Sequence, residues 1–239
     1  MKQERLDKYL AFALGFTRSE VKKVIKDKLI TVNGELVNTI IKVDPENDEI
    51  RYDGEFLENK DKKVYMVMNK AKDCVCANWD NMHETVFEYL YEEDSLYRDL
   101  HTVGRLDLDT TGILLITNDG KFTHKLVAPK KHVEKKYKVT LDKEFDAELI
   151  KYFEKGFEID ENEVVKPSKI KVIEPNVVHL TLTEGKYHQV KRMMAKFDYT
   201  VVELERIEFS FLKLNELNLK LGEYRYLTNE EVKELYKLF

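Results

Sequence analysis

Asp107 and Asp109 stand two residues apart in the run Gly104-Arg105-Leu106-Asp107-Leu108-Asp109-Thr110-Thr111-Gly112, which also holds an arginine and two hydroxyls. Carboxylates in that company can attack an electrophile, move a proton or hold a hard cation. The apolar run Ile113-Leu114-Leu115-Ile116 follows, then the turn Asn118-Asp119-Gly120. A charged loop therefore feeds a buried strand, and loops at strand edges are where scaffolds carry catalytic side chains.

Three chemistries compete for this run. Asp107-Leu108-Asp109-Thr110-Thr111 fits the DxDxT pattern of haloacid-dehalogenase-type phosphatases, but that motif ends an apolar strand, whereas here the apolar strand comes after. Asp107, Asp109 and Gly112 also occupy positions 1, 3 and 6 of an EF-hand-like loop, yet position 12 is Asn118 instead of the bidentate glutamate that calcium needs. A lone Asp pair would otherwise be read as capping a turn, with its hydroxyl neighbours satisfying backbone groups.

The elements around the run narrow the choice. Arg5 to Leu14 has the spacing of a short amphipathic helix, with Leu6, Tyr9, Leu10 and Ala13 on one face. Thr17-Arg18-Ser19-Glu20 is a capping box that starts a second helix, with Val21, Val24 and Ile25 inward. Arg18, Lys22 and Lys26 fall four residues apart and form one outer basic stripe. Ile30 to Val37 alternates around Asn33-Gly34, a strong hairpin signal. Residues 1–43 hold nine Lys or Arg against five acids, although the whole chain carries −5. This segment resembles the S4 RNA-binding domain over residues 2–51. Lys28 stands where many such domains carry glycine, which puts the turn after the second helix in question.

Asp53–Lys63 is polar and charged and reads as a linker. Val64–Met68 then opens a second domain as a strand. Helices are expected around Thr85–Leu90, Lys121–Val127 and His188–Phe197. Strands are expected at Lys136–Thr140, Lys169–Ile173 and Val177–Thr183. The fold class expected is α+β, a small N-terminal S4-like domain over residues 1–58 and a catalytic domain over 62–239 with a mixed, largely antiparallel sheet.

The central run has company downstream: Glu134-Lys135-Lys136-Tyr137, then Glu184-Gly185-Lys186-Tyr187-His188-Gln189-Val190-Lys191-Arg192-Met193, then Gly222-Glu223-Tyr224-Arg225-Tyr226-Leu227-Thr228. In this order, behind an S4-like domain, these segments resemble the RsuA-type pseudouridine synthases over nearly the full chain. Such enzymes break the N1–C1′ bond of a uridine in RNA, turn the base and rejoin it through C5. No redox change and no net hydrolysis occur, so no cofactor or metal is required.

The resemblance implies that Asp107 is the essential carboxylate, acting at C1′ or through the 2′ position, in a dry pocket where a nearby cation keeps it ionised. Lys191 matches the basic position that pairs with it, with Arg192 as the fallback and an RNA contact. Tyr137 is implied to stack on the target base and to help remove the C5 proton. The base must be flipped out of its stack, and Arg105 is implied to fill the gap. Arg18, Lys22 and Lys26 are expected to hold RNA phosphates. Asp109, Thr110 and Thr111 are expected to shape the loop. His188 and Gln189 are expected to orient Lys191, touch RNA or cap the helix. His101 and His124 have no partner legible in the sequence. Three departures are Lys136, where Thr is usual before the tyrosine, and Asp198 and Ser210, where glycines are usual. Glycine tolerates a positive φ at least cost, so the turns at the last two are expected to differ in shape.

The segment Asp73–Asn78 and the wording LHTVGRLDLDTTG look more like the small-subunit type, and imply the uridine numbered 516 in small-subunit (16S) rRNA. A target in 23S rRNA and a catalytically silent S4-type RNA-binding module are the alternatives. The partner expected is 16S rRNA or a small-subunit assembly intermediate, met by a monomer in the cytoplasm. With 239 residues, 43% hydrophobic and 36% charged, the chain reads as globular. It has no run of 18 apolar residues and no apolar signal core. Cys74 and Cys76, without further cysteine or histidine close by, are expected to be reduced thiols.

Overall fold

The computed structural model describes residues 3–57, 63–95, 97, 99–128 and 132–238. The chain divides into two compact units, a smaller one made mainly of residues 1–63 and a larger one made of 64–95 and 99–239. The boundary expected between residues 58 and 62 lies outside the described residues.

In the smaller unit, α1 (Leu6–Ala13) and α2 (Arg18–Lys26) follow one another. The capping box at Thr17 is present, with the Thr17 amide donating to Glu20 and the Glu20 amide donating to the Thr17 hydroxyl. β1 (Ile30–Val32) and β2 (Glu35–Val37) pair antiparallel around Asn33-Gly34, both at positive φ as a tight hairpin turn requires. Leu6, Leu10, Val21, Ile25, Ile30 and Ile50 form the core beneath them.

One expectation fails here. The stretch read as a linker from Asp53 begins instead as a hairpin: β3 (Ile50–Tyr52) pairs with β4 (Glu55–Phe56) across Asp53-Gly54, both at positive φ. An Asp-Gly pair makes this turn as readily as Asn-Gly, and the surrounding charges hid it. Residues 58–62 of that stretch lie outside the described residues.

The larger unit is built on one sheet. Its strands are β5 (Tyr65–Lys70), β6 (Thr110–Thr117), β7 (Lys135–Leu141), β8 (Lys169–Glu174), β9 (Val177–Leu182), β10 (Val201–Phe209) and β11 (Tyr224–Tyr226). They lie in the order β8-β9-β7-β10-β6-β5-β11. Each neighbouring pair is antiparallel except β6 and β10, which run parallel. All eight residues of β6 are buried. A strand covered on both faces needs a continuous apolar run instead of an alternating one, which is what Ile113–Ile116 supplies. α3 (Gly120–Val127) puts Phe122 and Leu126 against Ile113 and Leu115. α4 (Gln189–Ala195) lies between β9 and β10 in sequence. The helix expected at Thr85–Leu90 is a single tight turn over Val86–Tyr89.

The three turns questioned above keep the backbone that glycine favours. Lys28, Asp198 and Ser210 have φ of 57°, 62° and 55°. Side chains other than glycine enter this region at a cost of about 1–2 kcal/mol.

Candidate active site

Asp107 sits in the loop that enters β6, and that loop is held from beneath by a lysine. Lys70, at the end of β5, is fully buried. Its ammonium donates to the carbonyls of Ala71, Asp107, Leu108 and Thr110 at 2.9, 3.1, 3.3 and 3.0 Å. Burial pushes its pKa down, and the four carbonyls replace the water it has lost. The Asp73 amide donates to Leu108 O at 2.9 Å, and the Leu106 amide donates to Cys76 Sγ at 3.4 Å. The Asp107 loop is thus fixed at both backbone faces. Cys74 and Cys76 are free thiols.

The far end of the run is fixed by close packing. Gly112 has φ 102°, and a Cβ there would lie 2.3 Å from the Arg206 carbonyl oxygen on β10. Glycine is what lets β6 and β10 approach in parallel. Arg206 is also the register partner of Tyr137 on β7, where the ladder shifts between Lys136 and Tyr137. A bulge of this kind re-aims side chains next to a site. One strand, β10, therefore sets both the Asp107 loop and Tyr137.

A cavity of about 570 Å³ results, lined by Arg105, Asp107, Lys135, Tyr137, Glu184, His188 and Arg206 together with apolar side chains such as Leu182 and Leu204. That is within the size of pockets that take a nucleotide-sized ligand. Tyr137 is 9% exposed. The Asp107 side chain is 30% exposed, so it stands at the lip and is open to solvent in the free protein, not in the dry setting expected of it.

Lys191, on α4, does reach Asp107, with Nζ 3.8 Å from Oδ2. Its closer partner is Asp109, whose two oxygens it meets at 2.6 and 2.7 Å. Burial works to raise the Asp109 pKa, and the hydrogen bond and charge of Lys191 overcome it and hold the carboxyl below its usual value. Asp109 thus shares the cation assigned to Asp107. His188 precedes α4 in the left-handed region, makes no cap with its side chain, stacks on Tyr187 at 3.8 Å between ring centres, and places Nε2 3.7 Å from Asp107 Oδ1. Asp107 therefore has two basic side chains within 4 Å.

Arg192 is turned elsewhere. Its guanidinium is tied to Asp160 and Glu163, and Nη1 donates to the Tyr187 carbonyl at 2.9 Å. It holds the turn that carries His188 and does not line the cavity. Arg105 is exposed at the cavity wall, with no hydrogen bond or ion pair among the described residues. Arg18, Lys22 and Lys26 are exposed along α2 in the smaller unit. His101 meets Thr123 Oγ1 at 2.8 Å and the Asp99 carbonyl, on a part of the larger unit that does not line the cavity.

Sequence reasoning missed Lys70, Lys135 and Arg206 as site residues. For Lys70 a signal existed: a lysine directly after Tyr65-Met66-Val67-Met68-Asn69, at the end of a strand with no room for a surface side chain. Among the described residues no cluster of three or more His, Cys, Asp or Glu could hold a metal ion, and no helix is long and apolar enough to cross a membrane.

The chain is similar to known proteins along nearly its whole length. Residues 64–196 match the family described as RNA pseudouridylate synthase, and residues 4–50 match the S4 domain. The chain is 41% identical over 230 residues to the ribosomal small subunit pseudouridine synthase A of Yersinia pestis, covering 95% of this chain and 96% of that protein. Against the protein of the same name from Escherichia coli K12 the identity is 40% over 230 residues, covering 95% and 98%. A solved structure described as a crystal structure of pseudouridylate synthase superposes with a TM-score of 0.68 at 38% identity, covering 98% of this chain and 99% of that one.

Proposed function

This chain belongs to the RNA pseudouridylate synthase family, and on that premise we propose that it converts one uridine of 16S ribosomal RNA to pseudouridine, at position 516. The observation that carries this reading is the meeting of Asp107 and Tyr137 on the wall of one cavity, with Lys191 3.8 Å from the carboxylate. The small-subunit substrate rests on the names of relatives about 40% identical over nearly the whole chain.

Each residue has a task in that reaction. Asp107 stands beside Lys191 and His188 and acts on the sugar, at C1′ or through its 2′ position. Tyr137 stacks on the everted base, and its hydroxyl assists loss of the C5 proton. Arg105, exposed at the cavity wall, fills the space the base leaves, offsetting part of the few kcal/mol that flipping costs. Arg192 fixes the turn that aims His188 at Asp107. Arg18, Lys22 and Lys26 hold phosphates of the RNA. The isomerisation changes neither oxidation state nor water content, so its chemistry calls for no cofactor. All cavity-lining residues come from the larger unit; the protein acts as a monomer on rRNA or an assembling subunit in the cytoplasm.

The test is pseudouridine mapping of ribosomal RNA from cells with and without the gene. Loss of the modification at position 516 alone, restored by the gene, is the expected result. Unchanged 16S rRNA, or a loss in 23S rRNA, overturns the assignment.

A further inference from the structure

Two cations of the cavity have no task in the account so far. Arg206 is 2% exposed; its Nε donates to the Ile113 carbonyl at 2.7 Å, and its Nη2 is buried with no hydrogen-bond partner. Lys135, two residues before Tyr137 and so on the same face of β7, donates to its neighbour Val133 O at 2.9 Å. The Lys135 ammonium and the Arg206 guanidinium lie 5.9 and 5.4 Å from the centre of the same Phe209 ring. Neither makes an ion pair among the described residues.

Two neighbouring cations, one buried and one half-buried, with no carboxylate paired to either among the described residues, repel one another and forgo hydration. Both are donor-only groups, so what relieves them is an acceptor that carries or gains negative charge. The neighbouring cavity walls are Tyr137, Leu182 and Leu204, which suit a planar base better than a hydrated phosphate.

The chemistry of the base supplies such an acceptor. When the C1′–N1 bond breaks, its electron pair stays with uracil and spreads over N1, O2 and O4. The vacated valence of C1′ is met by the Asp107 carboxylate, or by the C2′–H pair as Asp107 takes that proton. The C1′–C5 bond then forms as Asp107 leaves C1′, or as it returns the proton to C2′; C5 gives up its proton and N1 takes one, leaving an isomer of the starting nucleoside. We propose that Arg206 and Lys135 donate to the uracil carbonyl oxygens and hold the negative charge of the detached base, which makes them substrate-contacting residues of the reaction that also disfavour cytosine, whose C4 carries an amino donor. This rests on the proposed function and deepens it.

Donors aimed at developing charge are worth about 10²–10³-fold in rate. Single-turnover cleavage of the glycosidic bond should be measured on an RNA fragment with uridine or 5-fluorouridine at the target. Arg206→Met and Lys135→Met are each expected to slow the uridine reaction by about that factor, with KM changed less than about threefold. Fluorine already stabilises the departing base anion, so the loss should shrink to about tenfold or less on the fluorinated RNA. Burial and Arg206 push the Lys135 pKa down to about 8, with Glu184 acting the other way. The rate should therefore fall as pH rises through about 8, and Lys135→Arg should keep it level.

Equal losses on both RNAs mark a merely structural role and overturn the proposal. A loss confined to KM that steepens with salt marks a phosphate contact and also overturns it. Melting curves show which variants fold, and if Arg206→Met does not, the less buried Lys135 carries the test. If the native protein leaves the target uridine unchanged, the functional reading fails. If it converts the uridine and the variants match it, only this inference fails.

Discussion

Arg18, Lys22 and Lys26 stand exposed along one face of α2, with no hydrogen bond or ion pair among the described residues. In the larger unit Lys70 is clasped by four carbonyls, Lys191 by the two oxygens of Asp109, and Arg206 by a buried strand carbonyl. The same charge is spent in two ways. Free cations on long stems attract a polyanion from a distance, adapt to its backbone and are weakened by salt. Cations fixed in a wall have given up solvation and freedom, and can act on one atom in one place. The first arrangement suits capture of RNA, the second suits chemistry on a single nucleotide.

Exchanging residues between these roles should expose the difference. Lys70→Met leaves four buried carbonyls without their donor and should cost about 3 kcal/mol of stability, with activity falling further because the Asp107 loop loses its support. Lys22→Met on α2 should change stability by less than about 0.5 kcal/mol. Parallel melting curves and turnover assays check both, and similar melting for the two would break the contrast.

Tyr137→Phe keeps the ring and removes the hydroxyl. Turnover should drop by about 10²-fold, the lower end for an acid–base group, while RNA affinity stays within about twofold. Full activity would confine Tyr137 to stacking and packing.

Replacing Arg18, Lys22 and Lys26 together by Gln should weaken RNA binding and flatten the plot of log affinity against log salt by about 2. Single-turnover rates at saturating RNA should hold. An unchanged slope would remove the stripe from the interface.

Much of this was legible because local rules suffice for it. Thr17 with Glu20 announces a helix start, Asn33-Gly34 announces a hairpin, and Ile113–Ile116 after a charged loop announces a covered strand edge. The Asp53-Gly54 hairpin obeys the same rule, but it was read by the charge of its neighbours and not by its turn pair. The buried cations were hidden for a different reason. Lysine and arginine are rarely fully buried, and although the strand before Lys70 hints at its burial, nothing local to Lys70 or Arg206 shows which distant segments, 37–40 residues away for three of the Lys70 acceptors and 93 for the Arg206 acceptor, will bring carbonyls to them. The division of Lys191 between Asp107 and Asp109 depends likewise on the path of one loop. The motif residues Asp107 and Tyr137 line one cavity, while the pairing of the groups around them is a matter of tertiary geometry.

On the proposed function, the Asp107 carboxylate beside Lys191 and His188 performs the bond exchange in an everted uridine. This is tested most directly by tritium release from C5-labelled uridine in a 16S rRNA fragment, comparing native protein with Asp107→Asn. The account predicts rapid release by the native protein and at least about 10³-fold slower release by the variant, with unaltered RNA affinity and melting temperature. Equal release by the two proteins would contradict it.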